Sequence, residues 1–276
     1  MRILQIVLPG ASEFEKKCQR VDFASLSPKH EVVVASSTRD APPADLAHIY
    51  GPVPLPPAPL VGFTTPFVAS SSPDRSRFAF RRASQPAVIA SVWVPASAGT
   101  VRAEARTYTP EAVEEIYFAP IVNPRPPAGV IGSFARPSIA NFVDQTLLRI
   151  GRFRDDITWN LFDRPPSPDD LSGVDVWVDP AVDELDLDGF VAEAVVAGKI
   201  VAASRTEMNT QRLEHGRIGF LVPRNDPNEL THAILEALFK PEVARSKIEA
   251  ARQTAGKFRP RQRSRVLERI YETVIP

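Results

Sequence analysis

The sequence predicts an α/β chain built as two doubly wound domains, and three observations carry that prediction. Short apolar runs alternate with helical stretches along most of the 276 residues, the pattern of parallel strands joined by crossover helices. The alternation stops at Asn123-Pro124-Arg125-Pro126-Pro127 and restarts behind it. Hydrophobic residues make up 43% and charged residues 24%, which is enough apolar material for two ordinary cores.

The first strand is read at 2–8, stopped by Pro9-Gly10. Ser12 is placed to cap a helix over 13–26, with Glu13 and Glu15 in its first turn and Phe14, Cys18, Val21 and Leu26 near one face. Pro28 ends that helix and a second strand follows at 31–35, completing a β-α-β unit. A third strand is expected at 44–51. Prolines at 52, 54, 56, 57, 59 and 66 bar a long helix from the next stretch. Two more strands are read at 67–70 and 87–93, with a short helix between them at 75–83. Pro110 suits the first position of a short helix reaching Tyr117.

Behind the linker, strands are expected at 128–134, 156–162, 174–178, 200–204 and 219–222. Helices are expected at 138–150, 189–197, 227–239, 241–256 and 260–273, with Pro165-Pro166-Ser167-Pro168 as a loop. The domains are therefore 1–122, a linker at 123–127, and 128–258. A C-terminal helix, 259–276, is free to pack back on the first domain.

Composition excludes several classes. Lys+Arg and Asp+Glu are both 33, so no net charge holds a polyanion and nucleic acid is not an expected partner. One cysteine, Cys18, excludes an intramolecular disulfide and a cysteine-built metal site; it falls on the inner helix face and is expected to be inert. The apolar N-terminus is too short for a secretory leader, and no run approaches the ~20 apolar residues of a membrane span. A cytoplasmic location is expected. His30 and His48 lie in or beside strands and read as structural.

Ligands of open α/β sheets bind beyond the carboxyl ends of the strands. Four places qualify. Pro9-Gly10-Ala11-Ser12 follows the first strand and opens a helix, an arrangement that suits a phosphate. Gly132-Ser133-Phe134-Ala135-Arg136 follows the first strand of the second half; Arg136 would reach a pyrophosphate or stand as a solvated surface arginine. Residues 179–193 gather Asp179, Asp183, Glu184, Asp186 and Asp188 ahead of the helix carrying Glu193. Carboxylates there suit sugar hydroxyls, and helix dipoles favour them regardless of function. The fourth place is 198–226.

Across the third and fourth places Glu193-Ala194-Val195-Val196-Ala197-Gly198-Lys199-Ile200-Val201-Ala202-Ala203-Ser204 resembles the "E-A-x-A-x-G-x-P-V-V-A-S" stretch of retaining GT-B glycosyltransferases, family 4 in particular. Glu214-His215-Gly216-Arg217-Ile218-Gly219-Phe220-Leu221-Val222-Pro223 resembles their "E-x-G-x-x-G-x-L-V-x-P", and the segment from Asp226 to Ile234 their "D-P-x-x-L-A-x-A-I". Fainter likenesses lie at Gly10, Lys29-His30-Glu31-Val32-Val33, Ala44-Asp45-Leu46-Ala47-His48 and Val174–Pro180.

The resemblance implies a GT-B fold, two Rossmann-like domains facing across a cleft, with the acceptor on the first and a nucleotide-sugar on the second. It implies that a hexose passes, with retention, from a nucleoside-diphosphate sugar to a saccharide or lipid-linked acceptor. Glu193 would hold the ribose. Asp186, Asp188, Gly189 and Phe190 would meet the donor sugar and phosphates, with Ser133 and His215 nearby. Gly10 and Ala11 would admit the pyrophosphate. Glu184 and Arg136 would carry catalysis. No cofactor or metal is implied, because basic side chains and helix dipoles stabilise the leaving group.

Three departures stand out. Leu185, not an acid, lies eight residues before Glu193, with Glu184 one position early. Arg136 is the one evident diphosphate cation, since no lysine lies between Lys29 and Lys199. Ser72 stands where the family often has a histidine. They open a second reading, a degenerate protein that binds a nucleotide-sugar or a partner without turnover. A third feature is the basic C-terminal end, with Arg245, Lys247, Arg252, Lys257, Arg259, Arg261, Arg263, Arg265 and Arg269. It suits peripheral contact with an anionic inner membrane face, or pairing with Glu249, Glu268 and Glu272.

Overall fold

The computed structural model of the chain describes residues 1–36, 42–51, 67–71, 87–93, 107–118, 129–183, 186 and 189–274. The chain divides into two compact units, Met1–Ala112 with Arg259–Pro276, and Val113–Phe258. The proline-rich segment at 123–127, the expected helix at 75–83 and Ser72 lie outside the described residues.

The first unit opens with β1 (Arg2–Val7), α1 (Glu13–Leu26), β2 (Glu31–Ala35) and β3 (Leu46–Tyr50), followed by β4 (Phe67–Ser71), β5 (Ala87–Trp93) and β6 (Thr107–Pro110). The sheet order is β2-β1-β3-β4-β5-β6. The first four strands are parallel, while β4–β5 and β5–β6 are antiparallel. The sheet is therefore mixed, with antiparallel strands at one edge, as is common in large α/β sheets. The short helix expected from Pro110 through Tyr117 is confined to a 3-10 turn at Glu115–Phe118, and Pro110 instead ends a strand. Pro110 sits on the edge strand, where its missing N–H breaks no ladder. Ser12 caps α1 as the sequence predicts, in a capping box with Glu15.

Period-two alternation sorts the first sheet. Leu4, Ile6, Ala47 and Ile49 form one cluster. Ile3 and Leu46 turn the other way, against Leu26 and the Leu267, Ile270 and Tyr271 face of α8 (Pro260–Val274). Gln5, His48 and Tyr50 share that second face and are fully buried, so each must be hydrogen-bonded. Asp22 of α1 completes the set. It accepts two bonds from Arg263 of α8, at 2.6 and 2.8 Å, and one from the Tyr50 hydroxyl at 2.8 Å. His48 Nδ1 meets the hydroxyls of Tyr271 at 2.6 Å and Tyr50 at 2.9 Å. Gln19 and Gln5 extend the chain of bonds to Tyr50, and the buried Lys17–Glu111 pair lies in the same unit. Arg263 is thus no part of a basic surface; its partner is Asp22, and Glu268 instead meets Lys29.

Two expected outcomes arise here. Burial, and then the charge of Arg263, hold His48 well below its ordinary range, so it is neutral when folded. The unfolded chain takes up that proton near pH 6.5. Stability therefore falls as pH drops below that value, by up to ~1.4 kcal/mol per pH unit from this residue. Urea unfolding at pH 7 and pH 5 measures the loss, and His48→Gln should flatten it. Burial also pushes the Cys18 thiol up to about 11. A thiol reagent at pH 8 should leave the native chain unlabelled and label it on unfolding.

The second unit carries β7 (Val130–Phe134), α2 (Ala140–Ile150), β8 (Thr158–Phe162), α3 (Pro168–Ser172), β9 (Val176–Asp179), α4 (Val191–Val196), β10 (Ile200–Ser204), α5 (Glu207–Arg212), β11 (Phe220–Val222), α6 (Pro227–Phe239) and α7 (Pro241–Thr254). The sheet is all parallel in the order β11-β10-β9-β7-β8. One face packs Trp177, Val201 and Ala203 on α4 residues and Phe258; the other packs Ile131, Val176, Val178, Ile200 and Ala202 on α2 and α6. α6 starts at Pro227, as its sequence predicts, and the structure adds a cap, Asp226 accepting from the amides of Asn228 and Glu229. The helices α3 and α5 are additions to the sequence reading. Ser167 and Asp170 form a capping box for α3, and Thr206 caps α5 through the Asn209 amide.

Candidate functional site

Strand order reverses direction in the second sheet between β7 and β9. That is the switch point, where two neighbouring strands send their following chain to opposite sides and leave a crevice at their carboxyl ends. Arg136 follows β7 and Asp179 ends β9. Asp179 is fully buried, which demands partners for its charge. Arg136 Nη2 donates to Asp179 Oδ1 at 2.6 Å, and Asn209 Nδ2 of α5 donates to Oδ2 at 2.7 Å. Arg136 Nη1 meets Asp186 Oδ1 at 2.8 Å, and the Ser138 hydroxyl donates to Asp186 Oδ2 at 3.4 Å. The Arg136 side chain is only 9% exposed. The alternative of a solvated surface arginine is therefore overturned.

Gly189 belongs to the same arrangement. A Cβ at this position would lie inside contact distance of the Asp179 carboxyl group. Its carbonyl accepts from Trp177 Nε1 at 2.7 Å. The next residue, Phe190, caps α4 with a left-handed backbone, φ +51°, and sets its ring edge-on to Phe134 at 4.9 Å. A left-handed non-glycine residue is strained and survives where packing over-determines it. Glu193 stands in the first turn of α4 and is 1% exposed. Ser133 is buried on β7 and accepts from Trp159 Nε1 at 2.8 Å.

The structure thus sets Ser133 on β7 and Arg136 just beyond it, with Asp186, Gly189, Phe190 and Glu193 between the end of β9 and the first turn of α4. It adds Asn209, which the sequence did not single out, because α5 has too few apolar residues to show a helical period. Glu184 and Asp188 lie outside the described residues. His215 is not brought to this edge. It sits in the turn that enters β11, where strands begin rather than end, and it shares left-handed backbone with Glu214 and Gly216. Lys247 fixes this turn from α7, donating to the carbonyls of Gly216 at 2.6 Å and Gly219 at 2.9 Å.

In the first unit Gly10 is left-handed at φ +82° and the Ala11 amide bonds Leu8. The start of α1 is filled by its own acid: Glu15 Oε2 accepts from the Ser12 amide at 2.8 Å, with Glu13 alongside in the first turn. A phosphate placed there would meet two carboxylates, so the phosphate expectation for this turn loses its electrostatic ground. Among the described residues no group of three or more His, Cys, Asp or Glu side chains is arranged to hold a metal, and no helix is long and apolar enough to cross a membrane.

No known family model matches the chain, and no curated protein matches it in sequence. Solved structures do match. A glycosyltransferase from Rickettsia africae ESF-5 aligns over 99% of this chain and 98% of its own, at 13% identity and a TM-score of 0.65. HepE of Anabaena, solved with UDP and glucose, aligns over 99% and 100%, at 14% identity and a TM-score of 0.61. TarM aligns over 61% of this chain at 13% identity and a TM-score of 0.50, and the chain spans 39% of its length. These likenesses establish the fold: an α/β chain with Rossmann-like units of the GT-B glycosyltransferase type.

Proposed function

We propose that the chain transfers a hexose from a nucleoside-diphosphate sugar to a saccharide or lipid-linked acceptor. The observation that carries this reading is the switch point of the second sheet, set in a fold shared end to end with glycosyltransferases, one of them solved with UDP and glucose. In this reading the nucleotide lies beyond the ends of β7 and β9. Glu193 accepts hydrogen bonds from the ribose, backbone around 186–190 meets the donor sugar, and the first unit takes the acceptor. Transfer proceeds with retention and without metal. Positioning and electrostatic help to the departing diphosphate supply the rate. The chain works in the cytoplasm, and its basic C-terminal stretch, without Arg263, Lys247 and Lys257, which are engaged within the protein, is available to an anionic membrane face.

Binding without turnover is favoured by one observation. Arg136 already faces two carboxylates, Asp179 and Asp186. Losing one cation from the leaving group costs ~10²–10³ in rate. Incubation with UDP-, GDP-, ADP- and dTDP-hexoses and a panel of saccharide and lipid-linked acceptors separates the two readings. A glycosylated product supports transfer; binding with no product under any acceptor supports the second reading; neither binding nor product contradicts both.

A further inference from the structure

We propose that Asp186 is a built-in competitor for the donor's diphosphate: its carboxylate occupies the Arg136 guanidinium and must be displaced before a nucleotide can bind fully. The proposal rests on the nucleotide reading of this site. Arg136 holds two anions of unequal standing. Asp179 is fully buried at the end of β9, gripped from its other side by Asn209, with Gly189 backbone packed against it. That partner is fixed. Asp186 lies beyond the strand end, 2.8 Å from Nη1, with its second oxygen toward the Ser138 hydroxyl. A diphosphate bears more charge and more acceptor oxygens than the carboxylate it replaces at the guanidinium. The surroundings favour an anion at that spot. The turn Pro137–Ile139 leads into α2, whose first turn holds no acid and whose cap residue, Ile139, makes no side-chain bond.

Calorimetric titration of UDP, and of uridine as a phosphate-free control, tests this in the wild-type chain, Asp186→Asn, Asp186→Ser and Asp186→Asn with Arg136→Gln. Removing the competitor should tighten UDP about tenfold in both single variants, leave uridine unchanged, and lose the gain when Arg136 is also removed. Equal UDP affinity in wild type and variants overturns the displacement and leaves the nucleotide reading standing. A gain shared by uridine, or one that survives loss of Arg136, overturns it as well. Binding of UDP, GDP, ADP and dTDP by none of the proteins overturns both proposals together.

Discussion

Asp22→Ala is expected to be the most damaging single substitution in the first unit. It leaves the Arg263 guanidinium fully buried among Tyr50, Tyr271 and His48 with its bidentate partner gone. Breaking a buried pair on one side costs ~3–5 kcal/mol, because the remaining charge stays desolvated. The Tyr50 hydroxyl also loses the acceptor that fixes it. Replacing both partners, Asp22→Leu with Arg263→Met, should recover much of that loss, since no buried charge is then left without its counter-ion and only the Tyr50 hydroxyl must turn to His48. Urea unfolding of the three variants measures the difference. A loss below ~1 kcal/mol in Asp22→Ala would show that the pair is weakly desolvated.

Gly189→Ala is expected to have the largest effect at the candidate site. The backbone conformation is not the obstacle, because Gly189 is not among the left-handed glycines. The obstacle is room. The added methyl would enter the Asp179 carboxyl group, which cannot retreat without releasing Arg136 and Asn209. Overpacking and the weakened charge-assisted bonds together cost ~3 kcal/mol, and the approach of α4 to β9 shifts with them. Nucleotide binding should be abolished. Gly198→Ala is the control. Its new methyl would meet nothing within 4 Å, and only the φ of +75° resists. It should cost ~1 kcal/mol and leave binding intact. Comparable binding by Gly189→Ala and the wild type would remove this glycine from the site.

Much of this architecture is legible residue by residue. β1, β3 and β10 are short, largely apolar runs, and such runs have few alternatives to a buried parallel strand. Ser12 announces its helix because an oxygen at the cap answers amides that nothing else reaches. Pro110 misleads because the same fixed φ serves a helix start and an edge strand; pairing with Ala87 decides, and pairing is not local. The antiparallel edge of the first sheet is hidden for the same reason. The acidic run ahead of α4 and the glycine at 189 can be read as a site, but the partners of Arg136 cannot. Asp179 lies 43 residues away and meets it only once β7 and β9 are neighbours. Arg263 reads as one more surface cation among many, because the carboxylate that buries it is 241 residues distant. The motif around His215 points to the ligand edge, and the direction of β11 puts that residue where the strand begins.

Thermal unfolding with saturating UDP-, GDP-, ADP- or dTDP-sugar, in the wild-type chain and in Glu193→Gln, bears most directly on the claim that a nucleotide-sugar occupies the carboxyl edge of the second sheet. At 100 times its Kd one of the four should stabilise the wild type by ~2.7 kcal/mol and stabilise Glu193→Gln far less. No stabilisation by any of them, or the same stabilisation in both proteins, would contradict it.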